Sequence, residues 1–92
     1  MKYEIRLTSR FKKDVKLIQR QGKDLEKLFS VVEKISEGEE LAPSFRDHSL
    51  SGEYSGCREC HIEPDWLLIY EVFDDVLVLV LSRTGSHSEL FR

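Results

Sequence analysis

The chain has 92 residues, of which 40% are apolar and 34% are charged, a composition typical of one soluble globular domain over residues 1–92. Its longest apolar run, residues 76–81, is far shorter than the roughly 20 residues of a membrane helix. The first six residues alternate charged and uncharged positions and lack the apolar stretch of a signal peptide. These features exclude a membrane protein and favour a cytoplasmic location.

The net charge of −3 argues against a general nucleic-acid binder, but the charge is unevenly distributed. Residues 1–36 hold ten Lys or Arg and five Asp or Glu, whereas residues 37–92 hold four Lys or Arg and twelve Asp or Glu. The basic part can attract either RNA or an acidic protein partner. The acidic part needs its arginines to counter local repulsion if a phosphate is to bind there. These arginines are Arg46, Arg58, Arg83 and Arg92.

The first third of the chain predicts one strand and two helices. Residues 3–7 alternate between polar and apolar side chains, which is typical of a half-buried strand. A helix is expected after a cap at Thr8 or Ser9 and before a break at Gln21. A second helix is expected over residues 24–38, where apolar side chains form a dense stripe. Because the break is short, the two helices should form a helical hairpin.

The remaining chain predicts a loop and a three-stranded meander. Residues 37–53 are polar and irregular, and a loop of this length in a small domain is usually functional or mobile. Strands are expected over residues 56–63, 66–73 and 76–83, with turns short enough to make them antiparallel. Residues 86–91 allow one helical turn. The order βααβββ predicts an α+β fold, a twisted and mainly antiparallel sheet with the hairpin on one face and a free opposite face.

The segment Cys57-Arg58-Glu59-Cys60-His61 contains a C-x-x-C motif and matches the pattern for covalent haem attachment. Haem attachment requires export, but the start of the chain lacks the apolar stretch of a signal peptide. A structural zinc site requires four ligands, and no second cysteine pair is present. Side chains alternate along a strand, so the two thiols should point to opposite faces. A reducing cytoplasm also disfavours a disulfide. We therefore expect two unpaired thiols, and neither a metal nor a cofactor.

Several residues of the second half have ordinary structural roles that compete with a functional one. A strand histidine such as His61 is usually a hydrogen-bonded polar residue. Trp66 begins an apolar strand, and its default role is packing in the core or at its rim. Arg83 could pair with one of the many carboxylates, and Phe91 could be an apolar plug at the end of the chain. Taken singly, each of these residues favours its structural role.

Taken together, the same residues predict a site at one end of the sheet. His61 and Asp65 flank the first turn of the meander, and His87 follows the third strand. Because the third strand runs parallel to the first, its last residues should lie at the same end of the sheet. The loop 37–53 can bring a further histidine there. The predicted cluster consists of His48, His61, Asp65, Trp66, Arg83 and His87.

This set of side chains suits the cleavage of RNA by its own 2′-hydroxyl. One group must accept the 2′-OH proton, another must protonate the 5′-oxygen, and a cation must stabilise the phosphorane. Imidazole and carboxylate can transfer the protons, a guanidinium can bind the phosphate, and an aromatic ring can stack on an unpaired base. A metal-dependent rival would use two histidines with Asp65, but no typical ligand spacing supports it.

Two stretches of the chain carry the motifs of a known family. Residues 47–70 are D-H-S-L-S-G-x-x-x-G-x-R-x-x-H-I-E-P-D-W-L-L-I-Y, and residues 82–91 are S-R-T-G-S-H-x-x-L-F. Both closely resemble the YafQ-type branch of the RelE superfamily, toxins of bacterial type II toxin–antitoxin modules. The N-terminal part is more loosely similar, through its strand and the helix beginning with Phe11-Lys12-Lys13-Asp14.

The resemblance implies a microbial-ribonuclease-like fold and an mRNA endoribonuclease, an mRNA interferase that cleaves translated mRNA in the ribosomal A site without a metal. It also implies neutralisation by a cognate antitoxin, with operator DNA bound only through that antitoxin. The alternative is a non-catalytic module of the same fold that only binds an antitoxin.

The resemblance also implies a role for individual residues. The residues implied to be catalytic are His48, His61, Asp65 and His87. Those implied to bind substrate are Arg83 at the scissile phosphate, Trp66 and Phe91 around the nucleotide, and Arg58. Strand alternation turns Arg58 away from His61 unless a bulge intervenes. We expect His87 to be the general acid, His48 or Asp65 the base, and His61 a stabilising or orienting group.

Overall fold

The computed structural model describes residues 2–91 and shows an α+β fold. Its strands and helices are β1 (Glu4–Leu7), α1 (Ser9–Arg20), α2 (Leu25–Ser36), β2 (His48–Ser49), β3 (Arg58–Glu63), β4 (Trp66–Phe73), β5 (Val78–Gly85) and α3 (His87–Leu90). Short 3-10 turns span Pro43–Phe45 and Gly52–Tyr54. The predicted α+β fold class is confirmed, and the predicted elements occur in the expected order with one strand, β2, added before the meander. No helix in the described range is long and apolar enough to cross a membrane.

Within residues 2–91, five strands form one sheet in the order β1-β5-β4-β3-β2. β1 pairs with β5 in parallel, and the other neighbours are antiparallel, as expected for a mainly antiparallel sheet. The short strand β2 was not predicted, because two residues are too few to show an alternating pattern. It lies in the loop 37–53 and places His48 beside Glu59 of β3.

Local hydrogen bonds fix the beginnings of the first two helices. The Thr8 hydroxyl accepts from the backbone N–H of Phe11 at 3.0 Å, and the Asp24 carboxylate accepts from that of Glu26 at 3.0 Å. Such caps typically stabilise a helix by about 1 kcal/mol. Between the helices, Gly22 has a φ of +80°, a conformation that glycine adopts without strain.

The main core lies on one face of the sheet and includes residues from α1 and α2. Its buried members include Phe11, Ile18, Leu28, Val32, Trp66, Leu68 and Tyr70. On the opposite face, a smaller apolar cluster is formed by Leu67, Ile69 and Leu90, with Leu50, Tyr54 and Cys57 packed against them. The second face is therefore partly covered by the 50–57 segment and α3, and these elements border the polar site.

The two cysteines lie on opposite faces of the sheet, as strand alternation predicts. Cys60 is buried in the main core, and Cys57 packs against the smaller cluster; both are free thiols. Burial raises the pKa of Cys60 to about 12 and also raises the pKa of Cys57. A thiol that is both protonated and buried reacts slowly.

We expect Ellman's reagent at pH 8 to modify at most Cys57 in the folded protein, and slowly. In denaturant both thiols should react, since unfolding removes the burial that raises the pKa values. Absorbance at 412 nm gives the number and rate of reacting thiols, and Cys57→Ser assigns the native signal. Rapid native modification of Cys60 would contradict the placement of this residue in the core.

Candidate active site

Sheet register brings the end of β3 and the end of β5 together. His61 of β3 pairs with Leu67 of β4, and Leu67 pairs on its other side with Gly85 of β5. A register shift between His61 and Glu63 then lets the chain turn towards β4. His87 begins α3 directly after β5, so the two histidine rings lie with their centroids 5.6 Å apart.

Asp65 holds His87 by two hydrogen bonds. Its Oδ1 accepts from the backbone N–H of His87 at 3.0 Å and lies 2.7 Å from Nδ1 of the same residue. Both bonds lower the pKa of Asp65, and the bond from the backbone has the larger effect. Because an ionised carboxylate can only accept, Nδ1 carries the hydrogen that faces it. The other ring nitrogen, Nε2, is left for a substrate, and the His87 side chain is half exposed.

A capping box fixes α3, and with it the position of His87. The Ser86 hydroxyl accepts from the backbone N–H of Glu89 at 3.3 Å, and the Glu89 carboxylate accepts from that of Ser86 at 2.8 Å. The reciprocal bonds satisfy two backbone donors at the helix start. They therefore hold the backbone from which the His87 ring projects.

Glu59 lies between the other two histidines and was not singled out from the sequence. Its Oε2 is 3.3 Å from Nε2 of His48 and 3.6 Å from Nε2 of His61, and its side chain is only 6% exposed. Nδ1 of His48 donates to the carbonyl of Arg46 at 2.7 Å, which turns Nε2 of His48 towards the carboxylate. Nδ1 of His61 lies 3.4 Å from the carbonyl of Pro64.

Two aromatic side chains border the His87 ring. The rings of His87 and Phe91 have centroids 6.4 Å apart, and Phe91 meets Tyr54 edge to face at 5.4 Å. Phe91 is 44% exposed, so part of its ring is accessible to a base. Tyr54 also donates from its hydroxyl to the carbonyl of Leu90 at 3.2 Å, which ties the 52–54 turn to α3.

Arg83 is engaged by a carboxylate from α1. Its Nε and Nη2 donate to the two oxygens of Asp14 at 2.7 and 3.1 Å, and its Nη1 points to the Tyr54 hydroxyl at 3.5 Å. The hydrogen bonds that Arg83 donates to Asp14 raise the pKa of Arg83. The structural role considered for Arg83, an ion pair, is therefore present. Only one edge of the guanidinium remains for a substrate phosphate.

Asp14 was also missed as a site residue. Its Oδ2 accepts from the backbone N–H of Thr84 at 3.1 Å, because β1 ends opposite Leu81 and leaves that side of β5 without a neighbouring strand beyond this residue. The sequence did contain a sign of this role. Asp14 falls between Phe11 and Ile18 on the apolar face of α1, where a charged residue needs a buried partner.

Trp66 does not contact a nucleotide in this arrangement, which corrects one expectation. Its side chain is fully buried in the main core, and its indole N–H donates to the Thr84 hydroxyl at 2.9 Å. That hydroxyl donates in turn to the carbonyl of Leu67 at 2.7 Å. The ring therefore presents no face to a base, and its structural role in the core prevails.

Arg58 lies on the helix-bearing face of the sheet, away from the histidines. Its Nε donates to Asp47 at 3.2 Å, and the Tyr70 hydroxyl donates to the same oxygen at 2.7 Å. The only register shift between β3 and β4 comes after His61, so alternation is unbroken between the two residues. Arg58 therefore binds Asp47 of the loop 37–53 and does not reach the histidine cluster, where a substrate-binding role was expected for it. Arg92, the last of the four arginines, is outside the described residues.

Within residues 2–91, no group of three or more His, Cys, Asp or Glu side chains is arranged to hold a metal ion. The clustered side chains include imidazoles and carboxylates, groups that can transfer protons. The contiguous members of the cluster are His48, Glu59, His61, Asp65, His87, Phe91, Tyr54 and Arg83.

Comparison with known proteins gives one consistent result. The family model described as a bacterial toxin of type II toxin–antitoxin system, YafQ, matches residues 3–92. The mRNA interferase toxin YafQ of Escherichia coli K12 is 39% identical over 89 residues, which cover 96% of this chain and 95% of that protein.

Solved structures agree with that match. The toxin of the E. coli DinJ–YafQ toxin–antitoxin complex superposes with a TM-score of 0.89 at 36% identity, covering 100% of both chains. A metal-bound toxin from Helicobacter pylori superposes with a TM-score of 0.90 at 42% identity, covering 97% of this chain and 99% of that one. The chain therefore belongs to the YafQ family of bacterial type II toxin–antitoxin toxins.

Proposed function

We propose that the protein is an mRNA endoribonuclease, an mRNA interferase toxin that cleaves translated mRNA at the ribosome in the bacterial cytoplasm. The observation that carries this proposal is the His87 ring, held at Nδ1 by Asp65 and open at Nε2, beside the His61 ring. The name of the E. coli relative, an mRNA interferase toxin, supports the same activity. Function depends on this site, because a fold alone does not determine chemistry.

In the proposed reaction, the 2′-oxygen forms a bond to the phosphorus while the bond from phosphorus to the 5′-oxygen breaks. His87 gives its Nε2 proton to the departing 5′-oxygen. Asp65 is then the orienting group, because its Oδ1 already accepts two hydrogen bonds and its lowered pKa makes it a weak base. A carboxylate in this position also stabilises the protonated imidazole before transfer.

His48 is the base that this geometry favours. Its Nδ1 hydrogen is bound to the Arg46 carbonyl, so Nε2 is the nitrogen that can accept the 2′-OH proton. The imidazolium that results lies beside Glu59, whose buried carboxylate stabilises it. His61 shares that carboxylate and stands between the two proton-transferring rings, where it can stabilise charge on the phosphorane. The free edge of Arg83 contributes to the same stabilisation.

The proposed reaction requires neither a metal nor a cofactor, since side chains supply both proton transfers. The metal-bound state of the H. pylori toxin makes this point worth testing directly. Cleavage of an RNA substrate should be unchanged after dialysis against EDTA. A loss of activity that added metal restores would refute the metal-independent mechanism.

The proposed partners are translated mRNA, the ribosomal A site and a cognate antitoxin. Similarity to the toxin of the DinJ–YafQ complex supports the antitoxin, through which alone the toxin would reach operator DNA. The ten Lys and Arg of residues 1–36 offer a basic surface for ribosomal RNA. Co-purification of the tagged toxin with the product of an adjacent gene would identify the antitoxin.

Primer extension on cellular mRNA after induction tests the activity itself. New 5′ ends within translated regions are expected, and they should vanish when translation initiation on the probed mRNA is blocked. A non-catalytic antitoxin-binding module would produce no new ends. Ends that persist without translation would support cleavage but refute dependence on the ribosome.

Replacing Asp65 by asparagine should slow cleavage about 10-fold to 100-fold, less than the loss of the acid itself, because the ring keeps an acceptor but loses the charge that stabilises it. The same substitution should change how stability depends on pH. The Asp65 carboxylate should contribute its full stability above its ordinary pKa of 3.8, and this contribution should be lost as the pH falls through the lowered pKa of the folded state. The difference in unfolding free energy between wild type and variant should therefore shrink at acid pH. Urea denaturation at pH 7 and pH 3 measures it.

A further inference from the structure

A groove adjoins the candidate active site on the side of the 43–45 turn. The residues that form it include Phe45, Arg46, His61, Ile62, Glu63 and Pro64. His61 belongs to both the groove and the histidine cluster, so the two are continuous. Phe45, Ile62 and Pro64 give the groove an apolar floor, and Arg46 and Glu63 are the charged residues of its lining.

The available charge of this groove is positive. Glu63, the only carboxylate among the six residues named, accepts from Nζ of Lys27 at 2.8 Å, a contact that lowers the pKa of Glu63. Arg46 is exposed, and its guanidinium contacts no carboxylate of the described residues. A single unpaired guanidinium beside a neutralised carboxylate favours an anionic ligand.

Arg46 differs in this respect from the other described arginines of the acidic half. Arg58 is paired with Asp47 and Arg83 is paired with Asp14, the latter through two hydrogen bonds. Much of the charge of Arg83 is therefore balanced before an RNA strand binds. Over residues 37–91, Arg46 is the remaining cation without an acidic partner.

The backbone of Arg46 links the groove to the proposed base. Arg46 has φ +50° and ψ +42°, a left-handed conformation that ends the 43–45 turn, and its N–H donates to the carbonyl of Pro43 at 3.0 Å. Its own carbonyl accepts from Nδ1 of His48. The residue that orients His48 thus also lines the groove that His61 shares.

We propose that this groove is a second nucleotide subsite, which binds the nucleotide adjoining the scissile phosphate with Arg46 on the phosphate of that nucleotide. The apolar floor fits the sugar and base, and the shared His61 places the strand in line with the reacting phosphate. This inference rests on the proposed function, since RNA is the ligand. An acidic antitoxin segment is the competing occupant, but the groove is continuous with the reacting centre, which favours the substrate.

Arg46→Gln tests the subsite, with Arg6→Gln as the matched control. Both variants remove one arginine charge, but Arg6 lies on β1, at the sheet edge opposite β2, and pairs with Glu4. The probe is a fluorescent 12-nucleotide 2′-fluoro RNA, which has no 2′-hydroxyl and is not cleaved. Anisotropy titrations at several salt concentrations give the Kd and its salt dependence.

Arg46→Gln should weaken binding about fivefold at low salt, the upper range for an exposed ion pair. The slope of log K against log salt should fall in magnitude by about 0.7, the loss of one phosphate contact on a single strand. Arg6→Gln should leave both quantities near wild type. Arg46→Lys should restore the slope, because lysine keeps the charge, while the affinity stays below wild type, since the planar fork is lost.

The subsite is refuted if Arg46→Gln and Arg6→Gln bind the probe alike. It is also refuted if Arg46→Gln weakens antitoxin binding, measured with purified partner, while RNA binding is unchanged. Failure of the proposed function would give a different result, the absence of new 5′ ends with the wild-type toxin. The binding titrations test the subsite whether or not cleavage is observed.

Discussion

Substitution of His87 by alanine is expected to abolish growth arrest and to slow RNA cleavage by about 10²- to 10⁴-fold, the range that a general acid contributes. In the proposed reaction His87 is the proton donor to the 5′-oxygen, and removal of the ring removes that donor. The helix start should survive, because the backbone N–H of residue 87 still donates to Asp65 and the Ser86–Glu89 capping box is intact. Primer extension and cleavage of RNA on purified ribosomes measure the loss.

Two further variants make this result specific to proton transfer. His87→Asn keeps a donor near the position of Nδ1 for Asp65 but cannot carry a proton to the substrate, so it should be as inactive as alanine. Ser88→Ala changes the neighbouring exposed residue and should retain activity. All three variants should bind the antitoxin. Strong cleavage by His87→Asn would show that the ring only shapes the site.

Trp66→Ala should cause the largest loss of stability, about 3–5 kcal/mol in the free energy of unfolding. The indole is fully buried in the main core, and the substitution leaves both a cavity and a Thr84 hydroxyl without its donor. A domain of this size has a total stability of about 5–15 kcal/mol, so the substitution removes a large share of it. Urea denaturation followed by far-UV circular dichroism measures the change.

Trp66→Phe separates a core role from nucleotide stacking. Phenylalanine keeps most of the buried apolar area and loses the hydrogen bond to Thr84, so the expected cost is about 1–3 kcal/mol. Cleavage per folded molecule should stay at the wild-type level, because the ring has no exposed face. A well-folded Trp66→Phe variant with a large loss of RNA binding would contradict this assignment.

Patterns local in sequence predicted much of the fold. The cap at Thr8 and the break at Gly22 bound α1 as expected, because these signals depend on neighbouring residues. The meeting of His61 with His87 followed from strand direction and short turns, which also depend on few residues. Glu59 was partly within reach of the same reasoning, since it shares the strand face of His61, but its position opposite His48 depends on the unpredicted strand β2.

Contacts between distant segments were beyond such reasoning. Arg83 meets Asp14 only because α1 packs beside the end of β5, 69 positions away in the sequence. Burial of Trp66 depends on which face of β4 the helices cover. The last strand begins and ends two residues later than predicted, because the preceding turn continues to Leu77. Leu77 has a φ of +53°, a conformation that sequence patterns rarely reveal in a leucine.

The parallel pairing of β1 with β5 joins the first and last strands of the chain. β5 also pairs with β4, so it occupies an interior position of the sheet, and it carries Arg83 and leads into His87. A truncated product of interrupted translation, ending before Val78, would lack this interior strand as well as His87. Its β1 would have no neighbour, and its core would be open to solvent. We therefore expect a fragment that ends before Val78 neither to fold stably nor to cleave RNA.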